Sequence, residues 1–397
     1  MNALCHRMDL AARFHEAKAE FHTAKLIRKQ VDVFKRIEQG APYLATTFYV
    51  PGELLEMFDV QAIYIERTAG FAAATKIIPY PVQQGLGLGF PECGCSYQAM
   101  FDLLVKRGFL PEPHGFIASN FACDDAWMYC QTAAARCKVP FDFIDVTGEP
   151  GEASIRYLAC QLESLGENLE LRFKRKSTMD EIVKRSNEAM NIKLWIDDMR
   201  VKYPGIISSI IGLKLFTLYN DLGSSAALEI LQCLKEEVES RIPGYRSENK
   251  PRLLWLGIIP LYRNSLISDI EQKYGCRIVL EELFKYTRQQ LSCENLYYDL
   301  ARRIASTVFF SMENRLSFIL KHIEAMNVDG VIHFSQRNCR FLPPMVPVLR
   351  SRLKKKGIPF VEIQGDAVDP SCFDESRCWN QLDVFFEMVD RRYNLCI

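Results

Sequence analysis

Two cysteines stand where an apolar strand pattern gives way to a helix. In GFIASNFACDDAW the strand-like run ends near Asn120, and Cys123 follows at the helix start beside Asp124 and Asp125. DGVIHFSQRNCR repeats this layout, with Cys339 near Arg337 and Arg340 and a helix after Pro343 and Pro344. Ligands in open parallel sheets bind beyond the carboxyl ends of the strands, and the unpaired N–H groups of a helix start favour a thiolate. A third cysteine, Cys95 in PECGCSYQAMFDLLVKRG, opens the helix that precedes the strand leading to Cys123. Three thiolates at separate loop–helix junctions suit a four-iron cluster with one iron left open, by analogy with catalytic metal sites that keep a coordination position free. The spacing is not diagnostic, and a packed, inert thiol is the ordinary reading of any one of them.

Zinc usually takes close Cys-x-x-Cys pairs. None occurs here, and CGC at 93 to 95 is one residue short, so zinc is the weaker reading. Cys5, Cys130, Cys137, Cys160, Cys233, Cys276, Cys293, Cys378 and Cys396 lie in helical patterns, at termini or beside strand starts, and read as non-ligands. Cys93 and Cys372 stay ambiguous. His333 falls inside a strand pattern, where a satisfied core histidine is the ordinary reading and a proton donor at the cleft the alternative; His322 is the other histidine considered. GLGLGF (Gly85, Gly87, Gly89) has no strand leading into it and no following acid, so it reads as a loop and not as a dinucleotide site. KRK at 174 to 176 and KKK at 354 to 356 read as solvated helix ends, with a CoA phosphate as the alternative partner.

The elements that must position these groups form an alternating pattern. Residues 8 to 38 carry Leu10, Phe14, Ala17, Phe21, Leu26, Ile27, Val31 and Phe34 at three- and four-residue steps, which predicts one long amphipathic helix. Beyond the turn at Gly40, the run ATTFYVP and a short helix near Pro51 open a series of strand-like runs, at 62 to 66, 115 to 120 and 141 to 146. Helices at about 96 to 107 and 124 to 137 separate them. Residues 151 to 242 hold almost no strand signal. Strand-like runs resume at 252 to 260, 276 to 281, 329 to 335 and 359 to 365, with a helix around 344 to 356 before the last. Alternation of this kind argues for α/β architecture: two Rossmann-like doubly wound domains at 46–150 and 246–397, a helical N-terminal segment at 1–45 and a helical connector at 151–245.

A chain of 397 residues exceeds what one core usually organises. Its 49 Lys and Arg balance 49 Asp and Glu, so no overall field draws it to nucleic acid or an anionic membrane. No run approaches the ~18 uncharged apolar residues of a membrane span, and the start, MNALCHRMDLAARFHEAKAEF, is too often interrupted by charge for a signal-peptide core. A cytoplasmic protein is expected, in which 14 cysteines are reduced thiols and metal ligands and not a disulfide framework.

YVPGELL near residue 50, CSYQAMFDLL at 95, NFACDD at 120, DGVIHFSQRNCR at 329 and GIPFVEIQGDAVD at 357 together resemble the 2-hydroxyacyl-CoA dehydratase family, which includes benzoyl-CoA reductase subunits and double-cubane cluster proteins. The resemblance covers nearly the whole chain through the order and separation of its motifs. It implies that Cys95, Cys123 and Cys339 bind a [4Fe-4S] cluster between two Rossmann-like domains, and it places Glu53 near that cluster as an acid/base candidate, where the bare sequence offers only a helix-dipole partner.

The resemblance further implies removal of water from a 2-hydroxyacyl-CoA. An electron from a separate ATP-hydrolysing iron–sulfur activator reaches the thioester carbonyl, the resulting ketyl expels hydroxide, and the β-proton becomes acidic. A homologous companion subunit, in a heterodimer, or a second copy is implied, and this chain is then either the substrate-binding or the electron-relaying partner. Two other readings stay open: an ATP-dependent reductase of benzoyl-CoA or double-cubane type, favoured if Cys93 is a further ligand, and a non-catalytic partner subunit. Where the family often carries an arginine before its last helix, this chain has Gln381, Leu382 and Asp383.

Overall fold

The structure is a computed structural model and describes residues 1–78, 93–148, 151–263, 265–282 and 288–396. The glycine-rich stretch at 85 to 90 and the side chain of Cys396 lie outside the described residues. Helices α1 (Asn2–Ala17) and α2 (Phe21–Glu38) replace the single helix expected over 8 to 38. Ala19 takes a left-handed backbone at φ 57°, and the Glu20 N–H returns to the His15 carbonyl, ending α1. Folding back lets both helices bury Leu4, Met8, Ala12, Ile27, Val31 and Phe34 in one cluster. Leu10, Phe14 and Phe21, assigned to the buried stripe from the sequence, are about half exposed instead. The period survives on both sides of the break, so periodicity alone does not register one left-handed residue.

Strand β1 (Tyr43–Thr46) begins two residues ahead of the run ATTFYVP, and Pro51 caps the short helix α3 (Gly52–Glu56). Strand β2 (Gln61–Tyr64) stops short of Glu66, which lies in the first turn of α4 (Ile65–Thr75). Helix α5 (Ser96–Lys106), β3 (Phe116–Ser119), α6 (Asp124–Cys137) and β4 (Phe141–Ile144) complete the first unit. Its parallel sheet has the order β2-β1-β3-β4. Four helices follow, α7 (Glu152–Arg172), α8 (Met179–Lys202), α9 (Ser209–Phe216) and α10 (Ser225–Arg241), with no strand among the described residues between them.

The second unit opens with β5 (Arg252–Gly257), α11 (Leu266–Tyr274) and β6 (Arg277–Glu281). It continues through α12 (Leu296–Ala305), α13 (Met312–Met326), β7 (Gly330–Gln336), α14 (Val346–Lys355), β8 (Phe360–Gly365) and α15 (Glu375–Cys396). Its order, β6-β5-β7-β8, matches that of the first sheet, and every pairing in both is parallel. Strands β3 and β7 are buried at every position because both faces of each sheet are covered.

One apolar cluster runs through Leu44 and Ile117 of the first sheet, Leu231 of the helical region and Leu254 and Ile332 of the second sheet. The other face of the first sheet packs Tyr43, Ala45 and Phe116 against the N-terminal hairpin. In each sheet the order reverses beside the first strand of the unit, and Cys123 and Cys339 leave from the strand next to that point, β3 and β7.

Candidate functional site

Cys95 and Cys123 are the residues that cap the starts of α5 and α6, both with extended backbone. Cys339 follows β7 in a tight turn, its N–H donating to the Gln336 carbonyl. The residue before each strand-end cysteine is left-handed, Ala122 at φ 65° and Asn338 at φ 60°, so both turns redirect the chain sharply at the thiol. Local N–H groups face the sulfurs: Tyr97 for Cys95, Ala126 for Cys123, and Leu342, 3.5 Å from Sγ of Cys339. Asp125 reaches from the first turn of α6 to accept the Cys95 N–H at 2.7 Å, joining two of the cysteine-bearing turns.

The three thiols, from two units, line one cavity of about 160 Å³. Its walls include Phe48, Tyr49, Phe121, Phe216, Phe309 and Phe341, and no Lys, Arg or His is among its described lining residues. Burial pushes the Cys123 thiol up to about 12 against the pull of the Ala126 N–H, and Cys339 adds to the rise. Cys95 is likewise pushed well above the ordinary thiol range, by burial first and Cys123 second. Three thiolates packed together without a cation are therefore unfavourable, and a metal's charge reverses that balance. Among the described residues no group of three or more His, Cys, Asp or Glu side chains could hold a single metal ion. A cluster differs from an ion in this respect, because each thiolate binds a different iron and the sulfurs ring a volume instead of meeting at a point. The donor set, three cysteines around an apolar void, fits such a group.

Glu66 is the one carboxylate among the described lining residues, and its Oε2 is buried without a hydrogen-bond partner. Burial raises it to about 7, opposed by the backbone N–H groups of Glu66 and Phe48. Sequence reasoning missed it by counting 62 to 66 as strand; its place just past the carboxyl end of β2 was the available signal.

Glu53 does not line this cavity. Its Oε1 accepts from Arg303 Nη1 at 2.6 Å and from Ser186 Oγ at 2.8 Å, all three residues buried, so this carboxylate ties α3 to α8 and α12. His333 also lies off the cavity wall, fully buried. Arg315 Nη2 stands 3.1 Å from its Nε2 and Ser335 Oγ 2.9 Å from Nδ1. Burial, then the Arg315 charge, lowers it to about 3, leaving a neutral imidazole that accepts from the guanidinium. Cys93 is exposed, and Cys372 receives Arg337 Nη1 at 2.7 Å; neither is among the described lining residues. Arg175 and Lys176 face Glu170 and Glu56, and Lys356 faces Glu324, so these basic residues are engaged with carboxylates.

Residues 47–389 match the family model described as 2-hydroxyglutaryl-CoA dehydratase, D-component. The chain belongs to this family. It is 23% identical over 393 residues to the (R)-2-hydroxyisocaproyl-CoA dehydratase alpha subunit of Clostridioides difficile, covering 93% of this chain and 95% of that one. It is 24% identical over 358 residues to the (R)-phenyllactyl-CoA dehydratase alpha subunit of Clostridium sporogenes, covering 82% and 84%. A shorter match, 28% over 83 residues, or 21% of this chain and 19% of the other, is to a subunit of the benzoyl-CoA reductase of Thauera aromatica. The family is thus one of 2-hydroxyacyl-CoA dehydratase subunits, hydro-lyases, as the resemblance in the motifs implied. No described helix is long and apolar enough to cross a membrane.

Proposed function

We propose that this chain is an iron–sulfur subunit of a 2-hydroxyacyl-CoA dehydratase, with Cys95, Cys123 and Cys339 holding a [4Fe-4S] cluster between two Rossmann-like, doubly wound units. The observation that carries the reading is the shared cavity: thiols far apart in the chain line one void at the strand ends of two sheets. When bound, a four-iron cluster with an open iron supplies low-potential one-electron chemistry, which lets a 2-hydroxyacyl thioester lose hydroxide although its β-proton is not acidic.

The chain's own residues prepare the site for that chemistry. Phe48, Phe121, Phe216, Phe309 and Phe341 exclude water, which strengthens every electrostatic interaction inside and protects reactive species from hydrolysis. Glu66 Oε2, unpartnered and near neutrality in its titration, is the group placed to hold or accept a proton there. Because no cation is among the described lining residues, a second carboxylate on the acyl group would find no counter-charge; an uncharged acyl group suits the wall, as in the isocaproyl and phenyllactyl groups of the relatives' names. Partners in this reading are a homologous companion subunit, since the relatives are named alpha subunits, together with an ATP-hydrolysing iron–sulfur activator and the acyl-CoA. Cys93 is exposed and is not assigned as a ligand.

Anaerobic purification with iron and sulfide analysis and EPR tests the reading. The parent chain should carry about four irons, and Cys95→Ala, Cys123→Ala and Cys339→Ala should each lose most of them. Unchanged iron in all three variants overturns it. Glu66→Gln should retain iron while lowering the dehydration rate of the assembled enzyme by about 10²-fold or more.

A further inference from the structure

The turns bearing Cys95 and Cys339 belong to different units, and a polar cluster joins them directly. Ser96 Oγ donates to Asp366 Oδ1 at 2.7 Å. Gln336 Nε2 donates to Ser96 Oγ and to Asp366 Oδ2, each at 3.0 Å, and Gln336 Oε1 accepts the Ala367 N–H at 2.7 Å. Asp366 Oδ1 also takes the N–H groups of Val368 and Asp369 at 2.8 and 2.9 Å. Ser96, Gln336 and Asp366 are each 3% exposed, and none of their polar atoms is among the buried groups left without a partner.

The placement of these bonds along the chain is specific. Ser96 follows Cys95, while the Gln336 carbonyl accepts the Cys339 N–H at 3.2 Å, so Gln336 grips one cysteine turn with its side chain and the other with its backbone. On the other side of Cys95 a second strap repeats the link: Asn338 Nδ2 donates to the Gly94 carbonyl at 3.1 Å. Residues on both sides of Cys95 are thus tied to residues just before Cys339. Sheet packing alone does not require a buried carboxylate here, and its desolvation is offset only by this full set of donors.

We infer that Ser96, Gln336, Asp366 and Asn338 are positioning residues that set the Cys95–Cys339 separation, and so the fit of the ligand set around its metal group. The inference rests on the reading of Cys95 and Cys339 as cluster ligands. Groups behind metal ligands commonly change metal affinity by about 10–100-fold when altered, whereas residues that merely stabilise the fold leave metal retention by the folded protein unchanged.

The test uses the full chain loaded anaerobically with iron and sulfide, challenged with a ferrous chelator and followed by loss of cluster absorbance and by EPR. Ser96→Ala and Asn338→Gly are the variants; glycine keeps the left-handed backbone while deleting the strap. Ser335→Ala is the control, because Ser335 is buried on the same strand but bonds to His333 and Glu362 outside the clamp. Ser96→Ala and Asn338→Gly should release iron about tenfold faster and show an altered EPR line shape, with far-ultraviolet circular dichroism like the parent's. Release no faster than from Ser335→Ala overturns the inference, and so does equal acceleration in all three. A parent chain that takes up no iron would instead overturn the functional reading beneath it.

Discussion

The carboxylate of Asp125 accepts the backbone N–H of Cys95 at 2.7 Å, so the turn carrying Cys123 holds the turn carrying Cys95 by a charged acceptor. Removing that acceptor leaves a half-buried N–H unpaired and takes an acidic group from the first turn of α6. Asp125→Ala should lower stability by about 1–2 kcal/mol and reduce bound iron per chain, while Asp125→Asn should keep most of it. Urea midpoints and iron analysis read the two effects separately.

Glu53 and Arg303 form a buried pair across α3 and α12. Glu53→Gln strands the guanidinium, whose Nη2 already lacks a partner, and should cost about 3 kcal/mol. Replacing both residues, Glu53→Leu with Arg303→Met, should recover much of that loss. A Glu53→Gln protein of unchanged urea midpoint and abolished activity would show an acid/base role for this carboxylate instead.

His333 gives stability an acid limb. Its titration is lowered from the ordinary histidine value near 6.5 to about 3, so the unfolded chain binds a proton more readily than the folded one. The contribution is complete above about pH 6.5 and is lost as pH falls toward about 3, with a slope of up to about 1.4 kcal/mol per pH unit. His333→Gln, which keeps an acceptor for Arg315, should flatten that part of a urea-midpoint profile measured between pH 7 and 4. An unchanged slope would show that the imidazole protonates as easily in the folded protein.

Gly212 lies in α9, where alanine normally stabilises a helix by about 1 kcal/mol. Here a Cβ would overlap the Glu281 carboxylate and crowd Arg200. Those two side chains form a fully buried two-point pair at 2.6 and 2.5 Å, and displacing them should outweigh helix propensity. Gly212→Ala should therefore destabilise by about 3 kcal/mol or more, read as a fall in urea midpoint; a rise would mean the pair can shift aside.

Much of the architecture was legible along the chain. Apolar runs bounded by turns marked β3, β5, β6, β7 and β8, and α6 begins and ends at the expected residues, because these elements are buried on faces their own pattern declares. The N-terminal hairpin was not legible, since one left-handed residue at Ala19 breaks the helix without disturbing its period. Glu53 and His333 show the same limit in the site: their chemistry was visible, but their partners, Arg303 and Arg315, come from helices 250 residues ahead and 18 residues before them.

By itself the sequence determined the strand-to-helix junctions at Cys123 and Cys339 and the helix start at Cys95, because those are local properties of pattern and turn. Only the tertiary structure decided that all three thiols face one aromatic void, that Glu66 joins them, and that Ser96, Gln336 and Asp366 bolt the two units together. Side-chain hydrogen bonds and shared cavities depend on contacts between residues far apart in the chain, and no local periodicity encodes which distant partner will arrive.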